Sequence, residues 1–185
     1  MRLYGSTVVV SACWHTPGMS DNGEISEISE ISESSEIVRL RGVQGSDLEL
    51  FHAYEQDAEA VRRSRFPARE REAFMEHWEK RVIGNPTGLV RTVTVDGATA
   101  GNVVAWWAED GRRFVGYWLG RRYWGRGIGT RALALFLQEE QNRPLYADPF
   151  HGNTASVRLL EHHGFRRTTT VGHDEDGHVL LVLEE

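Results

Sequence analysis

The stretch Trp124–Phe136, WGRGIGTRALALF, decides how this chain folds. Gly125, Gly127 and Gly129 occupy alternate positions directly before an apolar run of helical character. Glycine removes side chains where backbone must curve closely around a ligand. The amides of a first helical turn have no partner within the helix and suit a phosphate. Two common phosphate motifs fail on spacing. A dinucleotide fingerprint counted from Gly125 and Gly127 needs a third glycine where Thr130 stands, and the lysine of a P-loop is missing.

The charge around the loop points the same way. Between Arg112 and Gln138 there are six arginines and no acid, and Arg121, Arg122, Arg126 and Arg131 surround the glycines. The whole chain of 185 residues carries a formal charge of −6, most of it from six acids in residues 1–36 set against Arg2 alone. A local basic strip on an otherwise balanced protein suits a small anion and argues against nucleic acid as partner.

Outward from the loop, the pattern alternates between two periods. LVRTVTV, GNVVAWW and RFVGYWLG read as strands joined by hairpins at Asp96-Gly97 and Asp110-Gly111. A strand is expected from about Glu36, then SDLELFHAYEQDAEAV as one helix with a Ser46/Glu49 capping box, then a helix with Pro67 in its first turn that Gly84 to Pro86 ends. Phe74, His77 and Trp78 fall on one side of that second helix. Beyond the loop follow a helix from about Ile128 to Gln141, the strand PLYAD, a helix capped by Asn153 and stopped at Gly164, and a closing hairpin around Asp176-Gly177. This order predicts a mixed α/β layer fold in one domain over residues 37–185.

Residues 1–36 stand apart. Ile25, Ile28 and Ile31 recur every third position among Ser and Glu, a period that fits neither helix nor strand, so a flexible acidic extension is expected. Met19 offers an alternative start. Residues 7–13, TVVVSAC, are too short an apolar run for a signal, and no run approaches the ~18 apolar residues of a membrane span, so a cytoplasmic protein is expected, with no membrane as partner. Cys13 is the single cysteine, which excludes a disulfide framework and a cysteine metal cluster. The eight histidines form no ligand pattern, and no metal is expected.

YWLGRRYWGRGIGTRALALFL followed by NTASVRLLEHHGF closely resembles the GNAT superfamily of acyl-CoA N-acyltransferases, in the branch related to the ribosomal-protein N-terminal acetyltransferases. Gly127 and Gly129 match the glycines of its pyrophosphate motif, while Trp124 stands at its Gln/Arg position. Asn153, Ser156, Leu160 and Gly164-Phe165 match its later Asn-x-x-Ser, Leu, Gly-Phe pattern, and the resemblance spans about residues 37–183. It implies a central, mostly antiparallel twisted sheet flanked by helices, with a V-shaped cleft for acetyl-CoA. Tyr117, Trp118 and Leu119 would lie along the pantetheine, and Arg126, Gly127, Ile128, Gly129 and Thr130 would cradle the pyrophosphate. Asn153 would mark the cofactor's far arm or serve only as a helix cap.

The catalytic groups are harder to assign. Where relatives carry a tyrosine acid this chain has Leu160, and where the branch carries a glutamate base it has Phe114. Ser156 is the candidate to protonate the leaving thiolate. Glu109 is the candidate base, acting through water. His77, and Asp148 with His151 at the end of PLYAD, are further titratable groups near the expected cleft. Trp78, Trp106, Trp107, Tyr117 and Trp118 could rim the acceptor pocket, although strand alternation prevents Trp106 and Trp107 from both facing it. The expected activity is direct acetyl transfer from acetyl-CoA to a primary amine, on a small molecule or a peptide N-terminus, by a monomer or homodimer. The alternative is a non-catalytic acyl-CoA sensor or interaction module; a nucleotide-phosphate enzyme would instead prefer ATP or NAD.

Overall fold

A computed structural model describes residues 36–168 and 177–185. The acidic segment as far as Ser35, and Asp176, lie outside the described residues. Seven strands form one sheet: β1 (Val38–Arg41), β2 (Leu89–Val95), β3 (Ala98–Trp107), β4 (Arg113–Leu119), β5 (Leu145–Ala147), β6 (Arg166–Arg167) and β7 (Leu181–Leu183). Their spatial order is β1-β2-β3-β4-β5-β7-β6, and every pairing is antiparallel except β4 with β5. The mixed α/β GNAT-like architecture expected from the sequence is present.

The β2–β3 hairpin follows from its turn residues. Asp96 and Gly97 both adopt positive φ, 49° and 85°, which the tight turn between twisted strands demands. Asp96 also accepts a hydrogen bond from the Ile37 amide at 2.8 Å, tying the start of β1 to this turn.

Each face of the sheet carries its own core. Val103, Val115, Tyr117 and Leu119 face α4 (Ile128–Glu139) and α5 (Thr154–His162), where Phe136 and Leu160 are fully buried. The alternate residues turn the other way, so Val104 and Trp106 pack against Leu48 and Phe51 of α1 (Asp47–Glu55) and Phe74 of α3 (Arg71–His77).

The first helices depart from the sequence reading in three ways. The expected single helix breaks at Gln56, and α2 (Ala58–Ser64) begins afresh because the Asp57 side chain accepts from the Glu59 and Ala60 amides. Pro67 precedes α3 rather than opening it, and the chain continues from α3 into a π-helical segment, Trp78–Ile83. The Ser46/Glu49 box does not form: Ser46 makes no side-chain cap, and Glu49 pairs with Arg71 of α3. The neighbouring Asp47 takes the local role, accepting from the Gln44 amide at 2.9 Å, from Arg41 at 2.6 Å and from the Thr92 hydroxyl at 2.8 Å. Burial opposes that charge, but these hydrogen bonds outweigh it and hold Asp47 well below the usual carboxylate range.

Candidate active site

The site begins where two parallel strands separate. β4 and β5 pair only at Arg113 with Leu145 and at Phe114 with Tyr146. From Val115 to Leu119, β4 keeps β3 on one side and, among the described residues, has no strand on the other. The bond from the Gly120 amide to the Ala100 carbonyl, 2.9 Å, sets the phase of this ladder. Even-numbered β4 residues direct their backbone groups toward β3, and odd-numbered ones direct theirs into the opening. Tyr117 therefore turns its backbone N–H and carbonyl into the V and Leu119 its N–H, whereas the backbone of Trp118 bonds β3 and its indole N–H donates to the Tyr54 carbonyl at 3.0 Å.

At the end of β4 the chain turns through a 3₁₀ segment, Arg121–Tyr123, into the glycine loop. Gly125 and Gly127 sit at φ 72° and 68°, a left-handed backbone that a side chain would strain. Gly127 is the N-cap of α4 and puts no capping side chain over the first amides. Trp124 explains its own departure from Gln/Arg: its indole N–H donates to the Leu119 carbonyl at 2.8 Å and closes the turn. Arg63 from α2 lies over the Trp124 ring at 5.4 Å. Arg131 donates to the Gly127 and Arg126 carbonyls, bracing the loop from behind.

The basic strip resolves into two groups. Arg121, Arg122, Arg126 and Arg131 belong to the loop, but Arg112 and Arg113 sit at the far end of β4. Arg113 is buried, donating to Glu140 at 2.6 Å and to the Thr87 carbonyl at 2.7 Å. It fastens β4 to the end of α4 and faces no ligand.

Ser156 and Asn153 stand at the start of α5, on the α4 side of the sheet. Asn153 caps the helix, accepting from the Ser156 amide at 3.3 Å, and both residues are buried. The Tyr117 phenol donates to the Ser156 carbonyl at 3.5 Å, bridging β4 to α5. Burial drives the Tyr117 phenol far above its ordinary value, so it stays protonated and structural. Ile128 and Leu160 are wholly buried in the core.

The opposite side of the V holds a group the sequence mentioned without singling out. Asp148, one residue beyond β5, is 9% exposed, and its Oδ1 has no hydrogen-bond partner. Burial pushes its pKa up to about 7, a bond to its own amide and the charge of Arg112 pulling weakly the other way. Asp148 follows Tyr146 by two residues, so the alternation of β5 carries it to the face of Phe114 and Tyr146, over whose rings Arg112 lies. Two loops meet nearby, with Arg65 lying over the Phe150 ring at 5.1 Å.

The other candidates fare differently. Glu109 lies exposed in the β3–β4 turn. His77 has a buried Nε2 without a hydrogen-bond partner, and burial together with Arg69 pushes its pKa down to about 4. His151 hydrogen-bonds the Gly177 carbonyl at 2.6 Å. Of the five aromatic residues expected at the rim, Trp78 and Trp118 line a cavity of about 20 Å³ with Phe66, Arg69 and His77. That volume admits about one water. Trp106 stacks on Phe114, Trp107 is 44% exposed, and Tyr117 points to the opposite core.

The Acetyltransferase (GNAT) domain family matches residues 38–166. The chain belongs to the GNAT family. Solved GNAT-like structures agree on the fold at low identity. A domain from Methanocaldococcus jannaschii DSM 2661 superposes with a TM-score of 0.67 at 17% identity, covering 81% of this chain and 99% of that one. The aminoglycoside acetyltransferase AAC(6')-Ib, solved with coenzyme A, gives 0.67 at 18% identity over 80% and 95%. A GNAT-family acetyltransferase from Bacillus anthracis gives 0.63 at 18% identity over 82% and 96%. No curated protein matches the chain. Among the described residues of this GNAT chain, no helix is long and apolar enough to cross a membrane, and no three or more His, Cys, Asp or Glu side chains come together as a metal site would need.

Proposed function

We propose that this protein transfers an acetyl group from acetyl-CoA directly to a primary amine, on a small molecule or a peptide N-terminus. The observation that carries the reading is the V between β4 and β5, with the glycine loop at its end and a buried carboxyl of raised pKa on its wall. The left-handed glycines, uncapped amides and loop arginines fit the pyrophosphate of coenzyme A, and a relative of the same fold was solved with that cofactor. The resemblance to the ribosomal-protein N-terminal acetyltransferase branch belongs to this proposal too.

Acetyl-CoA supplies an activated thioester. The chain's own part is to hold the reactants and move protons. Arg126, Gly127, Ile128, Gly129 and Thr130 would hold the pyrophosphate, and the Tyr117 backbone and the Leu119 N–H would pair with the pantetheine, beside Trp118. Asn153 holds the first turn of α5 in place. Asp148 takes the proton from the attacking amine. A base near the working pH is the most effective kind, which favours Asp148 over His77 at about 4. Ser156, buried at the start of α5 on the other side of the sheet, would give its proton to the departing thiolate.

A non-catalytic acyl-CoA sensor is the second reading. It is favoured by Phe114 and Leu160, apolar core residues at positions where relatives carry polar catalytic groups. Free-thiol release from acetyl-CoA across a panel of small amines and N-terminal peptides separates the two. Amine-dependent release supports the enzyme. Coenzyme A binding with no acceleration by any amine supports the sensor.

A further inference from the structure

Glu36 sits on the loop that the proposed function assigns to the cofactor phosphates. Its carboxylate forms a two-pronged ion pair with the Arg126 guanidinium, with Arg126 Nε 3.2 Å from Oε2 and Nη2 against Oε1. Its backbone carbonyl accepts from Arg131 Nη1 at 2.6 Å, and Arg131 in turn braces the Gly127 and Arg126 carbonyls. Glu36 is not a loosely held anion. The next residue, Ile37, exchanges hydrogen bonds with Asp96 in the β2–β3 turn, at 2.8 and 3.0 Å. α4 packs along β1, which starts two residues later. The chain thus delivers a carboxylate to the rim of its own phosphate cradle, on an arginine separated by one residue from the start of α4.

We infer that Glu36 is an internal anion that competes with the cofactor's phosphates for Arg126 and so sets the protein's affinity for coenzyme A. This rests on the proposed function of the loop. The competition is electrostatic. A bound phosphate offers Arg126 more charge than a carboxylate does, so the pair opens when the cofactor enters, and its cost is subtracted from binding. Arg126 is 42% exposed at its side chain and Glu36 25%, so water and salt weaken the pair and the competition is modest. The same contact involves the last acid of the three-residue series Glu24, Glu27, Glu30, Glu33, Glu36.

The test titrates free coenzyme A by calorimetry into the full-length chain and its Glu36→Gln variant, at low and at high salt. It also follows turnover of S-acetylpantetheine, which has the thioester without the pyrophosphate. The variant is expected to bind coenzyme A about two- to five-fold more tightly at low salt, the worth of an exposed pair, with the gain shrinking at high salt. Turnover of the phosphate-free thioester should be equal in the two proteins. Equal or weaker coenzyme A binding by the variant overturns the inference, because Glu36 then only positions the loop. An equal gain with S-acetylpantetheine overturns it as well. If neither protein binds coenzyme A, the proposed function falls and the inference with it.

Discussion

Replacing Asp148 with asparagine should make the protein more stable above neutral pH and much less active, and both effects follow from one buried carboxyl. In the fold, burial raises its pKa from 3.8 to about 7. Between those values the folded state keeps a proton that the unfolded state has released. Stability therefore falls as pH rises through this window, and the full cost is present above about 7. At about 1.4 kcal/mol per unit the shift amounts to about 4 kcal/mol. The side-chain amide of the variant carries no charge at any pH, so D148N should match wild type in acid and exceed it by up to about 4 kcal/mol in mild alkali. Activity runs oppositely. Wild-type kcat/KM should climb through about pH 7 as the base ionises, and D148N should lose that climb and about 10²–10⁴ in rate. Urea unfolding and initial rates on both proteins, at several pH values from acid to alkaline, provide the assay. A variant with the wild-type pH–rate profile and the wild-type dependence of stability on pH would refute the reasoning.

Three further substitutions probe other parts of the account. Gly127→Val forces a β-branched side chain into φ 68°, so coenzyme A affinity should drop at least tenfold, about 1.4 kcal/mol, in calorimetric titration; unchanged affinity contradicts the loop assignment. Ser156→Ala should slow thiol release while coenzyme A affinity holds, and an unchanged rate removes its role as proton donor. Arg113→Ala leaves Glu140 buried without its cation and should cost about 3–5 kcal/mol in urea unfolding; a loss below about 1 kcal/mol would mean that water reaches the pair.

What the sequence made legible was local. The three long strands and their Asp-Gly turns needed only period-two alternation and residues tolerant of positive φ, and both are written in consecutive letters. The Asn153 cap and the Gly164 stop were equally local. Tertiary competition was not legible. Ser46 and Glu49 spell a capping box, but Arg71, over twenty residues away, claims the glutamate, and Arg41 claims the aspartate between them. The helix break at Asp57 hid inside a pattern that stays helical on both sides.

The site divides the same way. The phosphate loop could be read because its glycines and arginines are contiguous. Arg113 looked like part of that basic strip until β4 carried it to the far end, against Glu140. Asp148 could not be ranked above Glu109 or His77, because what sets it apart is burial beside the gap between β4 and β5, created by strands more than twenty-five residues apart. Trp124, a departure from the family motif on paper, holds the Leu119 carbonyl in space.

The central claim is direct transfer between two reactants held together in the V. Initial rates of thiol release, with acetyl-CoA and an accepted amine each varied at several fixed levels of the other, test it most directly. The account predicts lines that intersect, with the acetyl group recovered on the amine. Parallel lines, with an acetylated enzyme trapped when the amine is omitted, would contradict it.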